Sequence, residues 1–155
     1  RVVKLNAGKL PPLEEINTQI KTGCVKIKHV RDGIYLTSPA ENDANTRRVS
    51  IKGGEAERWE ITAIGGDQYT IKNKDLNQFL FTSDATYSSN YHVYLWIPKI
   101  GLTAEKWTIE KVGNGLTIRN VLRPSCLFVG SSSWVYAKMG PICKGKQFEW
   151  SFESC

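Results

Sequence analysis

The sequence predicts an all-β fold, and three observations carry that prediction. From Cys24 onward, short runs alternate apolar and polar residues, as in "CVKIKH" (24–29) and "GLTIRN" (115–120), the period-2 signature of half-buried strands. Glycine, asparagine and aspartate break the runs at short intervals, as turns require. A tryptophan also recurs in one frame, charged or aromatic residue, Trp, polar, apolar: "ERWEI" (57–61), "EKWTI" (105–109) and "FEWSF" (148–152).

The frame belongs to a longer repeat. "CVKIKHVRDGIYLTS" (24–38) aligns with "QYTIKNKDLNQFLFTS" (68–83) and "GLTIRNVLRPSCLFVGS" (115–131). Each segment opens on a strand centred on Ile27, Ile71 or Ile118 and turns into a second strand at 35–38, 80–83 or 127–130. A third strand follows at 49–51, 93–96 or 135–137, and the fourth carries Trp59, Trp107 or Trp150. From isoleucine to tryptophan the interval is 32, 36 and 32 residues. Glycine-marked turns, "IGGDQY" (64–69) and "VGNGL" (112–116), separate the units. A period of about 45 residues with four strands per unit, tripled, predicts a β-trefoil: six strands closing a short barrel and three hairpins capping it. A propeller of such units needs about four blades. The repeats place Trp59, Trp107 and Trp150 in the core, one per lobe, each contributing on the order of 3 kcal/mol by burial.

The 155 residues fit one domain, expected over 23–155 with lobes at about 23–64, 65–112 and 113–155. Residues 1–22 lack alternation, and "LPPLEEINTQIKTG" (10–23) reads as an arm packed on the domain, with one or two helical turns after Pro12. No apolar stretch is long enough for a membrane span, and no Asn-x-Ser/Thr sequon occurs. The start at Arg1 fits a mature secreted chain whose signal peptide has been removed.

Four cysteines without a CxxC pair, Cys24, Cys126, Cys143 and Cys155, favour two disulfides in an oxidising compartment over zinc. Spacing leaves three connectivities open. A closed trefoil selects Cys24–Cys155, because its first and last strands are neighbours, and Cys126–Cys143 within the third lobe. The net charge is +6, but the basic residues are dispersed, which argues against a polybasic arm for nucleic acid or membrane. A diffuse positive field still favours acidic partners. Only His29 and His92 are present, and no phosphate loop, HExxH or nucleophile elbow occurs, so the chain reads as a non-enzyme without cofactor or metal.

The tryptophan frames resemble the Gln-x-Trp repeats of the ricin B-chain (R-type) lectins over residues 24–155. Glu57, Glu105 and Phe148 stand where that family has glutamine, and "LFTS" and "LFVGS" resemble its "LCVD"-like strand. The sugar-binding aspartate of that strand is replaced near Thr37 and Ser38, Thr82 and Ser83, and Val129 and Gly130. In overall character the chain also resembles the secreted cysteine- and tryptophan-rich salivary proteins of blood-feeding mosquitoes. Those resemblances imply a trefoil that binds carbohydrate and is injected into a host, with glycans or glycoproteins as partners; a monomer is the default expectation.

A sugar site needs an aromatic face for the C–H side of the ring, a carboxylate or amide for paired hydroxyls, and a second polar anchor. In the R-type family these come from the end of the second strand, from the third strand, and from just before the core tryptophan. Lobe two offers Asp84, Asn90, Tyr94, Trp96 and Glu105, with Tyr91 near; lobe three offers Trp134 and Tyr136 with Ser131 and Gln147. Lobe one lacks an aromatic on its third strand, "RRVSI" (47–51). The expected ligands are host glycans bearing galactose or N-acetylglucosamine. The rival readings are a Kunitz-type protease inhibitor presenting Arg31 or Arg47 and Arg48, and a heparin-binding, cytokine-like trefoil.

Overall fold

Strand β1 (Gly23–His29) shows how the sequence pattern becomes structure: Val25, Ile27 and His29 point inward and are buried, while Lys26 and Lys28 face outward. The same alternation recurs in Asn90–Trp96 and in the first half of Lys106–Val112 of the computed structural model, which describes residues 20–51, 55–96, 103–140 and 142–155. Lobe one continues with β2 (Ile34–Tyr35), β3 (Thr37–Glu41), β4 (Thr46–Ser50) and β5 (Trp59–Gly65). Lobe two comprises β6 (Gln68–Asn73), β7 (Gln78–Tyr87), β8 (Asn90–Trp96) and β9 (Lys106–Val112). Lobe three comprises β10 (Gly115–Asn120), β11 (Ser125–Val129), β12 (Val135–Met139) and β13 (Trp150–Ser154). The expected arm lies outside the described residues except at its end, where Ile20 is buried against the core.

The pairings close a barrel. β1 pairs with β5, β5 with β6, β6 with β9, β9 with β10, β10 with β13, and β13 returns to β1, all antiparallel. Closure removes the exposed edges that an open sheet would present. The hairpins β3–β4, β7–β8 and β11–β12 form the cap. They join one another because β8 pairs with both β4 and β12, and Ser50 bridges to Trp134. This is the β-trefoil that the repeats predict.

Pseudo-threefold symmetry is exact in its bonding pattern at the core. Trp59, Trp107 and Trp150 are all 0% exposed. Each indole Nε1–H donates to the carbonyl of its own lobe's second-strand leucine: Leu36 at 3.2 Å, Leu80 at 3.0 Å and Leu127 at 3.0 Å. The bond satisfies the one polar atom of a ring otherwise buried for its apolar area. Ile27, Ile71 and Ile118 lie beside them, also at 0% exposure.

A second threefold layer is polar. Strands β1, β6 and β10 end in His29, Asn73 and Asn120, all buried. Asn73 and Asn120 accept backbone N–H groups of the turns that follow, from Leu76 and from Leu122 and Arg123. In lobe one His29 replaces asparagine; its Nε2 meets the Gln147 carbonyl at 2.9 Å and its Nδ1 meets the Asp32 carboxylate at 2.9 Å. The disulfides Cys24–Cys155 and Cys126–Cys143 join the barrel's first and last strands and tie β11 to the loop before β13.

Candidate functional site

Strand β7 carries an irregularity that opens the surface. Thr82 pairs with Val93 and Thr86 with Tyr91, so four positions on β7 span two on β8. Ser83, Asp84 and Ala85 stand against the single residue His92 and form a bulge, with Ser83 Oγ accepting from the Ala85 N–H at 3.1 Å. Bulges of this kind re-aim side chains and interrupt pairing. Here the bulge walls a cavity of about 670 Å³ and puts Asp84 on it.

The aromatic floor follows from strand register. Phe81 lies opposite Tyr94, and Trp96 stands two residues beyond Tyr94 on the same face of β8. The Phe81 ring centroid is 5.1 Å from that of Trp96 and 6.1 Å from that of Tyr94. Phe81 is buried, while Tyr94 and Trp96 are half-exposed to the cavity. Burial raises the Tyr94 phenol above its ordinary range, so it stays a protonated donor at neutral pH.

The opposite walls come from the other two lobes. The loop between β3 and β4 supplies Asn42 and Asp43, and the first residue of β4 supplies Thr46. Asp43 Oδ1 accepts from the backbone N–H of Asn45 and of Thr46 at 2.8 and 2.9 Å. The Asn45 N–H above all, with help from Thr46, holds the carboxyl below the usual range. Lobe three supplies Leu122 and Arg123. The Arg123 guanidinium is held in place by donating from Nη1 to the Thr82 carbonyl at 2.9 Å. The cavity thus offers a flat apolar floor, two carboxylates and one guanidinium.

Of the lobe-two residues read from sequence, the cavity gathers Asp84, Tyr94 and Trp96 but neither Asn90 nor Glu105. Asn90 lies at the far end of β8, across from Tyr87 and Lys138. Glu105 is buried, 5% exposed. Its lobe-one counterpart shows what this position does: Glu57 accepts from Ser38 N and Oγ at 2.9 and 2.7 Å and from Asn73 Nδ2 at 2.9 Å, tying strand to turn. The glutamine position of the frame therefore serves the scaffold in lobe one and faces inward in lobe two.

Lobe three differs. Ser131 is exposed, and Trp134 and Tyr136 are half-buried. The Arg48 guanidinium carbon sits 3.9 Å from the Trp134 ring centroid, covering one face. Tyr136 stacks with Tyr87 at 6.0 Å and accepts from Arg48 Nη2 at 3.3 Å. Gln147 turns its amide to Gly145, where an added Cβ would stand 2.7 Å from Gln147 Oε1. Phe128, the counterpart of Phe81, is covered by Phe148 at 5.6 Å and by Lys138 at 5.9 Å.

Sequence reasoning missed Asn42, Asp43, Leu122 and Arg123 because they reach the cavity from neighbouring lobes. The spacing within one repeat carries no signal for that. Phe81 was legible as a strand residue but not as the floor. Among the described residues no group of three or more His, Cys, Asp or Glu is disposed to hold a metal ion, and no helix is long and apolar enough to cross a membrane.

Barrel closure and the tripled Trp–Leu bond make this a β-trefoil. Residues 15–96, more than half the chain, match the family model for ricin-type beta-trefoil lectin domain-like proteins. A Culex quinquefasciatus salivary protein of the Cysteine and Tryptophan-Rich (CWRC) family is 33% identical, with a TM-score of 0.79 over 88% of this chain and 96% of its own. The chain belongs to the ricin-type beta-trefoil lectin domain-like family and, by its salivary relative, to the CWRC family. A second Culex salivary protein of the family is 23% identical, with a TM-score of 0.76 over 88% of this chain and 96% of its own. The designed threefold protein ThreeFoil, 16% identical, shares the fold alone, with a TM-score of 0.73 over 86% of this chain and 99% of its own. No curated protein matches the chain. The two disulfides and the salivary relatives are consistent with a secreted protein.

Proposed function

We propose that the protein is a secreted, salivary, lectin-like protein that binds host cell-surface glycans bearing galactose or N-acetylglucosamine and so modulates host haemostasis or immunity. One observation carries the reading: Tyr94, Trp96 and Phe81 converge with Asp84, Asp43 and Arg123 on one cavity of about 670 Å³. The rings present a face for the apolar side of a pyranose, the carboxylates accept its hydroxyls, and the guanidinium donates to ring or carbonyl oxygens. A single such site supplies about 4 kcal/mol, a dissociation constant near millimolar. Multivalent display on a cell surface raises the effective affinity.

Other features support binding over catalysis and weigh against the rival readings. His29 is fully buried with both ring nitrogens engaged, and His92 stacks against Tyr94 and Tyr136. An inhibitor of trypsin-like proteases needs a projecting basic side chain. Here Arg31 is bonded to Asp32 and to the Gly130 carbonyl, Arg47 to the Ser38 carbonyl, and Arg48 packs on Trp134. Outward lysines are partly neutralised, as in Lys28–Glu153 and Lys72–Glu60, which disfavours a concentrated heparin patch.

The test is a glycan array followed by titration of the best ligand. Galactose- or N-acetylglucosamine-terminated glycans are expected to bind, and Trp96→Ala and Asp84→Asn to weaken them at least tenfold. An array at background, or binding indifferent to both substitutions, contradicts the proposal.

A further inference from the structure

Strand β8 is the hub of the hairpin cap, and its outward face continues past the cavity. Trp96, Tyr94, His92 and Asn90 alternate along that face, with Val93 and Leu95 pointing inward. Directly opposed residues of an antiparallel pair project to the same side. Arg48 of β4 lies across from Tyr94, Tyr136 of β12 across from His92, and Tyr87 of β7 and Lys138 of β12 flank Asn90. These residues, drawn from all three lobes, therefore share one surface.

The rings on it form an unbroken series. Tyr94 stacks with His92 at 5.6 Å and an interplanar angle of 4°. His92 contacts Tyr136 at 5.4 Å, and Tyr136 stacks with Tyr87 at 6.0 Å. With Phe81 and Trp96 at the cavity, the series runs from that concave end to an exposed one, where Tyr87 is 62% exposed. The turn that presents Tyr87 is built at a cost. Ser88 and Ser89 both hold left-handed backbone, φ 51° and 65°, which serine rarely adopts. Two neighbouring residues there make a tight hairpin that fixes Tyr87 beside Asn90 and Tyr136. Charge is supplied alongside the rings by Arg48, bonded to the Tyr136 hydroxyl, and by Lys138.

We infer that this strip is an extended subsite for a linear glycan: the cavity takes the terminal sugars, and successive residues of the same chain lie over His92, Tyr136 and Tyr87. The inference rests on the carbohydrate reading of the cavity. It goes further in making the ligand an oligosaccharide held across lobe boundaries, where the family frame implies separate sites, each within one lobe. A linear glycan fits because it presents apolar C–H faces and hydroxyl edges in regular succession. The strip presents rings whose centroids are 5.4 to 6.0 Å apart, with donors at the side. Its continuity with the cavity supplies the anchor that a weak, open surface needs.

The probe is a ladder of linear N-acetyllactosamine chains with one, two and three disaccharide repeats, titrated calorimetrically. Affinity is expected to rise at least tenfold from one repeat to three. Tyr87→Ala and Tyr136→Ala are expected to abolish that rise while leaving the single repeat's affinity unchanged. Tyr87 is largely exposed, so its removal leaves the core intact, and circular dichroism checks the Tyr136 variant. A small rise that survives in both variants reflects the larger number of internal units on a long chain, and it counts against the strip. If the single repeat binds in a Trp96-dependent way but affinity is flat with length, the strip is refuted and the cavity reading stands. If Trp96→Ala leaves the single repeat unaffected, or no length binds, the cavity reading itself fails.

Discussion

Lobes two and three are built on one frame and present different outer surfaces. Both bury a tryptophan bonded to the leucine of the second strand, Trp107 to Leu80 and Trp150 to Leu127, each at 3.0 Å. Both place a phenylalanine after that leucine and a tyrosine on the third strand. In lobe two the hairpin bulges at 83–85 and the surface above Phe81 stays open. In lobe three the hairpin runs in register from Ser125 to Val129, Phe148 covers Phe128, and Cys126–Cys143 pins the covering loop. The lesson is that threefold symmetry constrains what faces the barrel axis, where every lobe must meet the same partners. It leaves the outer faces of the hairpins free to diverge.

The largest effect tests the shared part. Trp107→Ala and Trp150→Ala each remove a fully buried indole, and each is expected to cost about 3–5 kcal/mol. Denaturant unfolding should give values for the two lobes within about 1 kcal/mol of each other; a large disparity would show that the lobes are not equivalent inside. Next comes the loop unique to lobe three. Replacing Cys126 and Cys143 together by serine frees a loop of sequence separation 17, worth about 3 kcal/mol in the chain-entropy model. Thermal unfolding is expected to record that loss while glycan binding at lobe two persists.

A smaller effect separates the outer faces. Trp96→Ala is expected to weaken disaccharide binding at least tenfold, about 1.4 kcal/mol, with little change in stability. Trp134→Ala, which uncovers Arg48 without touching the cavity, is expected to change disaccharide affinity less than threefold. Equal losses from both would mean that lobe three binds too. The smallest effect concerns the junction between the lobes. Burial first, and then the positive charge of Arg48, lower the His92 pKa below its ordinary 6.5. The folded protein thus takes up this proton at lower pH than the unfolded chain does. The His92 contribution to stability is intact above about pH 6.5 and is lost as pH falls from there toward the lowered folded value. Removing the imidazole in His92→Gln is expected to flatten that slope by under about 1 kcal/mol. An unchanged slope would place the titration elsewhere.

Much of the frame was legible because it is repeated. The isoleucine-to-tryptophan interval, the glycine turns and the tripled aromatic frame report residues that meet at the barrel axis, where spacing along the chain maps directly onto position. A further repeat, "IKH", "IKN" and "IRN" ending at His29, Asn73 and Asn120, marks the buried polar layer and was open to reading in the same way. The cavity was only half legible. Asp84, Tyr94 and Trp96 sit within one repeat, but Asp43 and Arg123 arrive from adjacent lobes through pairings such as Thr46 with Trp96. Glu105 reads as a site residue from its place before the core tryptophan, and the structure buries it. Lobe three shows a packing feature that sequence does not carry: an aromatic pair on a strand looks alike whether it meets solvent or, as with Trp134, a neighbouring arginine.

Five tryptophans occupy distinct places in this molecule, and their indole N–H signals report on all of them at once. Trp59, Trp107 and Trp150 lie in the core, Trp96 in the cavity and Trp134 beneath Arg48. In a titration with N-acetyllactosamine disaccharide followed by nitrogen-edited NMR, the Trp96 signal is expected to shift in proportion to saturation while the three core signals and Trp134 hold their positions. Movement of Trp134 with Trp96 unmoved, or no indole shift at saturating sugar, would contradict the assignment of binding to the second lobe.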